Sequence, residues 1–189
     1  SVRGIVMKQL ARNNRTNLDD GTQTSVALGS RIVQKNETGV VIAAPHSSIW
    51  DVIIGLLVIQ GMGLKVVFMG KQEAIFWPVG ALLRHFGGMP VNRAAPGGII
   101  EQAAGIIRDS ERLWFALAPE GTRKPVEKWK TGFWKIAKQA DVPVCCAYFH
   151  FPEKIIGVGP VFHLSDDMDA DIARIRAWYA PYQGKRRTA

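Results

Sequence analysis

The sequence has little cysteine, and this shortage excludes one class of protein. Its 189 residues include only two cysteines, Cys145 and Cys146, which are neighbours in the chain. A disulfide between adjacent residues is strained and rare, so a disulfide-stapled secreted scaffold is excluded and reduced thiols are expected. The sequence also lacks a basic start followed by an apolar run and a small-residue cleavage site, so we expect no retained signal peptide.

Long apolar runs are missing as well. The most apolar stretch, residues 49–69, is interrupted by Asp51, Gln60, Lys65 and several glycines. A helix that crosses a bilayer needs about 20 almost unbroken apolar residues. The stretch therefore predicts a helix, a turn and a strand rather than a membrane span.

Acidic residues are outnumbered by basic ones. The chain has 16 Asp and Glu against 24 Lys and Arg, a net charge of +8, and an isoelectric point near 9.8. This balance suits a negative partner: nucleic acid, an anionic membrane surface, a phosphorylated substrate or an acidic carrier protein. The cations are spread along the chain, with one tight cluster at 185–187, and no zinc-finger or aromatic RNA-binding signature occurs. We therefore expect no nucleic-acid partner.

Short apolar runs alternate with amphipathic stretches from residue 39 onward. The runs predict strands over 40–44, 64–69, 113–118 and 142–149. The amphipathic stretches predict helices over 49–60, 76–86, 98–109, 131–140 and 167–180. This alternation predicts an α/β fold with a single mixed, mostly parallel sheet and helices on both faces. We expect one domain over 1–189, with a poorly defined N-terminal segment (1–30), a motif-bearing core (39–163), and a C-terminal helix with a basic tail (164–189).

His46 comes directly after the first predicted strand, and Asp51 follows in the first turn of the next helix. Such a turn brings the carboxylate back to one imidazole nitrogen, which fixes the tautomer and leaves the other nitrogen to accept a proton. An imidazole pKa of about 6.5 suits base chemistry near neutral pH. The pattern also fits an Asp51 that only favours the positive end of its helix, so the pair alone leaves both interpretations open.

Two further loops carry cations and turn residues. Residues 117–124, which read L-A-P-E-G-T-R-K, lead from a strand into a tight turn with a hydroxyl and two cations, a combination that suits a phosphate. Residues 87–93 end a helix at Gly87 and Gly88 and continue as an extended piece to Arg93, a second guanidinium for the same anion. An ordinary turn and a surface arginine are the alternatives.

The chain offers no evident nucleophile for the histidine to activate. No Gly-x-Ser-x-Gly elbow occurs, and Ser47 and Ser48 are better helix caps than nucleophiles. Cys146 and His150 are about 13 Å apart on a strand, too far for a dyad. The histidines do not have metal-ligand spacing, so we expect no metal. The remaining candidate is a hydroxyl carried by the substrate.

Together these motifs resemble the glycerolipid acyltransferase family that includes 1-acylglycerol-3-phosphate O-acyltransferase. Residues 46–51 resemble its H-x-x-x-x-D block, 87–93 its second block ending in arginine, 118–123 its F-P-E-G-T-R block, and 142–144 its fourth, apolar block with proline. The resemblance covers about residues 39–163. Residues 129–133 and 156–160 are also similar to a compact bacterial subgroup.

The resemblance implies a glycerol-3-phosphate acyltransferase-like fold and a role for each motif residue. His46 would be the general base for the acceptor hydroxyl, and Asp51 its orienting partner. The acceptor's phosphate or polar head would be held by Lys71, Arg93, Glu120, Gly121, Thr122 and Arg123. The hydroxyl would attack the thioester of acyl-CoA or acyl-carrier protein directly, with that thioester as co-substrate and no other cofactor. A backbone N–H of the turn at 120–122 is one candidate for stabilising the oxyanion.

Two positions depart from the family's pattern, and several alternatives stay open. Ala118 stands where phenylalanine is usual, and Cys146 where a second proline is common. The resemblance implies phospholipid biosynthesis or remodelling by a cytoplasmic protein bound peripherally to the inner face of the cell membrane. Another lipid acceptor, a transacylase, a thioester hydrolase, a metal-dependent hydrolase and a nucleic-acid binder are the competing hypotheses.

Overall fold

The structure, a computed structural model, describes residues 38–46, 55, 64–70, 81, 84–90, 98–122, 126–152 and 155–184. Its strands are β1 (Gly39–Ala44), β2 (Val66–Gly70), β3 (Gly88–Pro90), β4 (Trp114–Leu117), β5 (Val144–His150) and β6 (Ile155–Phe162). Its long helices are α1 (Gly98–Arg108), α2 (Gly132–Ala140) and α3 (Met168–Tyr179). The predicted segment 1–30 and the basic cluster at 185–187 lie outside the described residues.

The six strands form one sheet in the order β3-β2-β4-β1-β5-β6. The first five are parallel, with Ile42 of β1 opposite Leu117 of β4 and Ala44 opposite Tyr148 of β5. β6 runs antiparallel to β5. The connection between them is only a few residues long, and a parallel crossover needs a dozen or more. The predicted mixed, mostly parallel sheet is therefore confirmed.

Alternation along the strands divides the core between the two faces of the sheet. Val40 and Ile42 of β1 face the cluster that includes buried residues of α1, α2 and α3. Trp114 and Cys145 belong to a second cluster on the opposite face. Gly55, a helical residue between β1 and β2, lies against the ring of Phe149. A Cβ built on Gly55 would be 3.6 Å from Phe149 Cζ. The predicted α/β arrangement is confirmed.

The last helix, α3, is capped at its start and bonded to the sheet at its end. At its start, the Asp167 carboxylate caps the helix by accepting from the Ala170 N–H. At its end, the buried Tyr179 hydroxyl lies 2.8 Å from the Ile42 carbonyl oxygen and 2.9 Å from that of Ala147. One hydroxyl therefore joins α3 to two neighbouring strands, β1 and β5, just before β1 ends.

A buried carboxylate joins α3 to α2. Asp171 is only 2% exposed, and its Oδ2 accepts from the Trp134 indole N–H at 3.0 Å and the Ser165 N–H at 2.8 Å. Its Oδ1 accepts from Arg174 at 2.9 Å. Burial alone would raise the pKa of Asp171, but these hydrogen bonds and the Arg174 charge outweigh it, so the pKa is lowered.

The predicted elements agree with the described ones within a few residues, apart from two strands. β3 lies in a piece predicted only to be extended, and β6 was not predicted. The predicted helix stop at Gly87 is present, because Gly87 has a φ of 88° and its N–H donates to the Arg84 carbonyl. Most of the predicted helices 49–60 and 76–86 lies outside the described residues. Among the helices that the structure describes, none is long and apolar enough to cross a membrane.

Candidate active site

The chain leaves β1 and β4 at the same edge of the sheet, because the two strands are parallel neighbours. His46 follows β1, and Glu120 follows β4. The His46 backbone N–H donates to Glu120 Oε2 at 2.8 Å. A hydrogen bond to a charged carboxylate is about twice as strong as a neutral one. The motif that begins at His46 is thus joined directly to the motif that contains Glu120.

The chain after β4 folds into a tight turn. The Gly121 N–H donates to the Ala118 carbonyl at 3.1 Å, and Gly121 has a φ of 65°, in the left-handed region that favours glycine. The Gly121 N–H is therefore used within the turn, and an oxyanion donor among residues 120–122 stays a prediction. The turn directs the Glu120 side chain toward His46.

A lysine from the segment before α2 lies across this turn. The Lys130 N–H donates to the Pro119 carbonyl at 2.8 Å. A Cβ at Gly121 would be 2.7 Å from both Cδ and Cε of Lys130 and 3.0 Å from its Nζ. The aliphatic stem of Lys130 therefore covers the bare Cα of Gly121, and its ammonium stands beside the turn. The positive φ of residue 121 favours glycine, and any larger residue would also push the Lys130 side chain aside.

The residue before Lys130 is anchored in the core. The Trp129 ring makes edge contacts with Tyr179 and Phe133, at centroid distances of 5.4 Å and 6.4 Å. The Arg176 guanidinium lies over its face at 5.9 Å. On its other side, Lys130 is followed by Thr131, the N-cap residue of α2. The backbone that carries the ammonium is thus held by the core, by the turn and by a helix.

Four of the predicted site residues are within the described part of the chain. His46, Glu120, Gly121 and Thr122 all lie beyond the carboxyl ends of β1 and β4, at one edge of the sheet. The other four lie outside the described residues, and their places in the site stay predictions: Asp51, Lys71, Arg93 and Arg123. The strands that precede two of them, β2 and β3, end at that same edge.

A comparison with known protein families shows which family the chain belongs to. The family model described as Acyltransferase matches residues 23–150, which is more than half of the chain and includes both His46 and the turn after β4. The chain belongs to the acyltransferase family. The resemblance found in the sequence motifs is thereby confirmed at the level of the family. No curated protein sequence gives a significant match.

The two cysteines of this acyltransferase are unsuited to forming an acyl-enzyme. Both Cys145 and Cys146 are free, and neither side chain is exposed to solvent. Burial raises the pKa of Cys145 to about 12, and it raises that of Cys146 as well, with a further contribution from Cys145. Because the thiolate is the reactive form, thiols this buried are inert at neutral pH.

His150, the histidine predicted to lie too far from Cys146 for a dyad, has a structural partner. Its Nδ1 accepts from the Gln183 N–H at 3.1 Å, and the Phe151 N–H donates to the Gln183 carbonyl at 2.9 Å. These bonds tie the end of β5 to the segment after α3. This histidine therefore supports the fold of the acyltransferase at the sheet edge.

Two features of the acyltransferase site were not predicted from the sequence. Glu120 was expected to hold the acceptor's head group, and its hydrogen bond to His46 was not expected. Residues 129–133 resemble a subgroup of the family, and Lys130 among them was not a predicted site residue. The glycine of the turn indicates a left-handed position, but it does not indicate which side chain lies beside it.

Proposed function

We propose that this acyltransferase moves a fatty acyl group from acyl-CoA or acyl-carrier protein to the free hydroxyl of a lysophosphatidate-like glycerolipid. The observation that carries the proposal is the bond between the His46 N–H and Glu120, since it joins the candidate base to the candidate anion-binding turn. A base and a phosphate site held at a fixed separation suit an acceptor whose hydroxyl and phosphate are a few atoms apart.

In the proposed reaction His46 takes the proton of the acceptor hydroxyl as its oxygen attacks the thioester carbonyl carbon. Asp51 orients the imidazole and stabilises the imidazolium. The tetrahedral intermediate collapses, the carbon–sulfur bond breaks, and the imidazolium returns its proton to the leaving thiolate. The products are an ester and a free thiol. No acyl-enzyme forms, which agrees with the inert state of Cys145 and Cys146.

We propose that the phosphate of the acceptor is bound by cations that follow β2, β3 and β4 in the chain, namely Lys71, Arg93 and Arg123. The motif resemblance supports this assignment, and so does the common edge at which the three strands end. In the same proposal Glu120 holds the backbone of His46 rather than the head group, because a carboxylate would repel a phosphate.

We also propose that the protein works on the inner face of the cell membrane in phospholipid biosynthesis or remodelling. The net charge of +8 favours adsorption to anionic lipids, by about 1 kcal/mol for each cation near the surface. The lipid product and acceptor both partition into a bilayer. A thioester donor from the aqueous side is negatively charged, whether it is acyl-CoA or an acidic carrier protein.

The test is thiol release by the purified protein from a fatty acyl-CoA, with the lipid products identified by mass spectrometry. Lysophosphatidate, monoacylglycerol and no acceptor are compared. We expect thiol release that depends on lysophosphatidate and an equal amount of phosphatidate. Release that is equally fast without acceptor, with free fatty acid as product, would contradict the proposal and indicate a thioester hydrolase. If acyl-CoA is inert, acyl-carrier protein is tested as the donor in the same three arms.

A further inference from the structure

The Lys130 ammonium stands at the sheet edge that carries His46, although Lys130 belongs to a different part of the chain. Its stem covers Gly121, which is the residue next to Glu120. Glu120 in turn accepts from the His46 N–H. A short path of contacts, from Lys130 through the turn to Glu120, therefore connects this cation with the candidate base.

The charge of Lys130 is not neutralised by the part of the protein that the structure describes. There, the cations that form ion pairs are Arg108 with Glu101, Lys138 with Asp166, and Arg174 with Asp171. No carboxylate of the described ranges lies within 4.0 Å of Lys130 Nζ. One oxygen of the Glu120 carboxylate accepts from the His46 N–H. Among the described residues, Lys130 is exposed.

The backbone of Lys130 is held from two sides. The Lys130 N–H donates to the Pro119 carbonyl at 2.8 Å, and the preceding Trp129 packs against Tyr179 at a centroid distance of 5.4 Å. The stem lies beside Gly121. A cation on a backbone held in this way binds an anion with a smaller entropic cost than a cation on a free loop.

We propose that Lys130 binds a phosphate group of the substrate, in a role that rests on the proposed function and adds a residue to its acceptor site. Lysine is a common phosphate ligand and acts as a point charge with three N–H donors. The acceptor is the favoured source of the phosphate, because the turn beneath Lys130 is bonded to the backbone of the base that must reach the acceptor hydroxyl. The phosphates of coenzyme A are the other source.

The experiment compares three variants with the wild type in steady-state assays. Lys130→Met removes the charge and keeps the length of the stem, whereas Lys130→Arg keeps the charge. Lys128→Met is the matched control, since Lys128 is also exposed and only two residues away. Thermal unfolding of each variant establishes that it is folded. The acceptors are a short-chain lysophosphatidate, which stays monomeric, and the monoacylglycerol of the same chain.

For Lys130→Met we expect the KM for lysophosphatidate to rise about tenfold or more, because hydrogen bonds to charged groups contribute this much to affinity. The KM of Lys130→Arg should stay within about threefold of the wild type, because arginine keeps the charge. The KM of Lys128→Met should stay within about twofold, because Lys128 lies outside the site. The KM for monoacylglycerol should not change. A rise confined to the KM for acyl-CoA would keep the phosphate-binding role and assign it to the donor.

A binding measurement separates this inference from the proposed function. Isothermal titration calorimetry without donor measures the affinity of wild type and Lys130→Met for the two acceptors. A loss of affinity for lysophosphatidate alone supports the inference even if the protein catalyses no transfer to it. Transfer by the wild type, together with unchanged KM values and unchanged affinity in Lys130→Met, would overturn the inference and leave the proposed function standing.

Discussion

Replacing Glu120 tests whether this carboxylate holds the candidate base or the acceptor. In the structure its Oε2 accepts from the His46 N–H at 2.8 Å. A hydrogen bond to a charged group contributes about 1.5–3 kcal/mol, and 1.4 kcal/mol corresponds to a factor of ten. If that energy is used to keep His46 in position, Glu120→Ala should lower kcat by about tenfold to a hundredfold.

The isosteric variant refines the prediction. Glu120→Gln keeps one oxygen that can accept from His46 but loses the charge, which is about half of the strength of the bond. We therefore expect a fall in kcat of about threefold to tenfold. The KM for lysophosphatidate should stay constant or fall in both variants, because removing a negative charge near the phosphate removes a repulsion.

The assay is acceptor-dependent thiol release over a range of lysophosphatidate concentrations, which separates kcat from KM. Glu127→Ala is the control, since Glu127 is exposed and belongs to the same connection between β4 and α2. Both kinetic parameters of this control should match those of the wild type. If Glu120→Ala raised the acceptor KM and left kcat unchanged, Glu120 would contact the head group, and the positioning role would be refuted.

Three further predictions concern the scaffold beneath the site. Tyr179→Phe should lose about 1–2 kcal/mol of unfolding free energy in urea, because the Tyr179 hydroxyl is bonded to the main-chain carbonyls of two strands. Tyr182→Phe, the control, should change little. Asp171→Asn should lose about 1–3 kcal/mol of unfolding free energy near pH 7. Because the pKa of Asp171 is lowered in the folded protein, the difference from the wild type should shrink as the pH falls below about 4. A difference that does not vary with pH would contradict the lowered pKa. Cys145 and Cys146 should react with a thiol reagent only in denaturant, and rapid reaction of the native protein at neutral pH would contradict their burial.

Much of the fold was predictable from the sequence because buried parallel strands have continuous apolar runs. β1 and β5 follow this rule, and their predicted bounds agree with the observed ones within two residues. The strand β6 was missed because Gly157 and Gly159 interrupt its apolar pattern. A Cβ at Gly157 would collide with the ring of Tyr148, and a Cβ at Gly159 with the ring of Trp178. Both rings belong to other elements, β5 and α3, so the strand's own sequence does not show why these glycines are needed.

The site was predictable only in part, and the reason is again physical. The edge of the sheet follows from parallel strands, so the sequence alone brings His46 and the turn after β4 together. The bond between His46 and Glu120 depends on the register of β1 against β4 and on the conformation of the turn. The approach of Lys130 to Gly121 depends on the path of the connection to α2, which no local pattern encodes.

One comparison of variants tests whether His46 is the base of an acyl transfer to a lipid hydroxyl. Acceptor-dependent thiol release and phosphatidate formation are measured for the wild type, His46→Ala and the control His163→Ala, whose histidine is exposed and lies at the far end of β6. We expect His46→Ala to lower kcat by about a hundredfold or more, because a general base is lost, and His163→Ala to leave kcat unchanged. A folded His46→Ala protein with kcat close to that of the wild type would show that His46 is not the base.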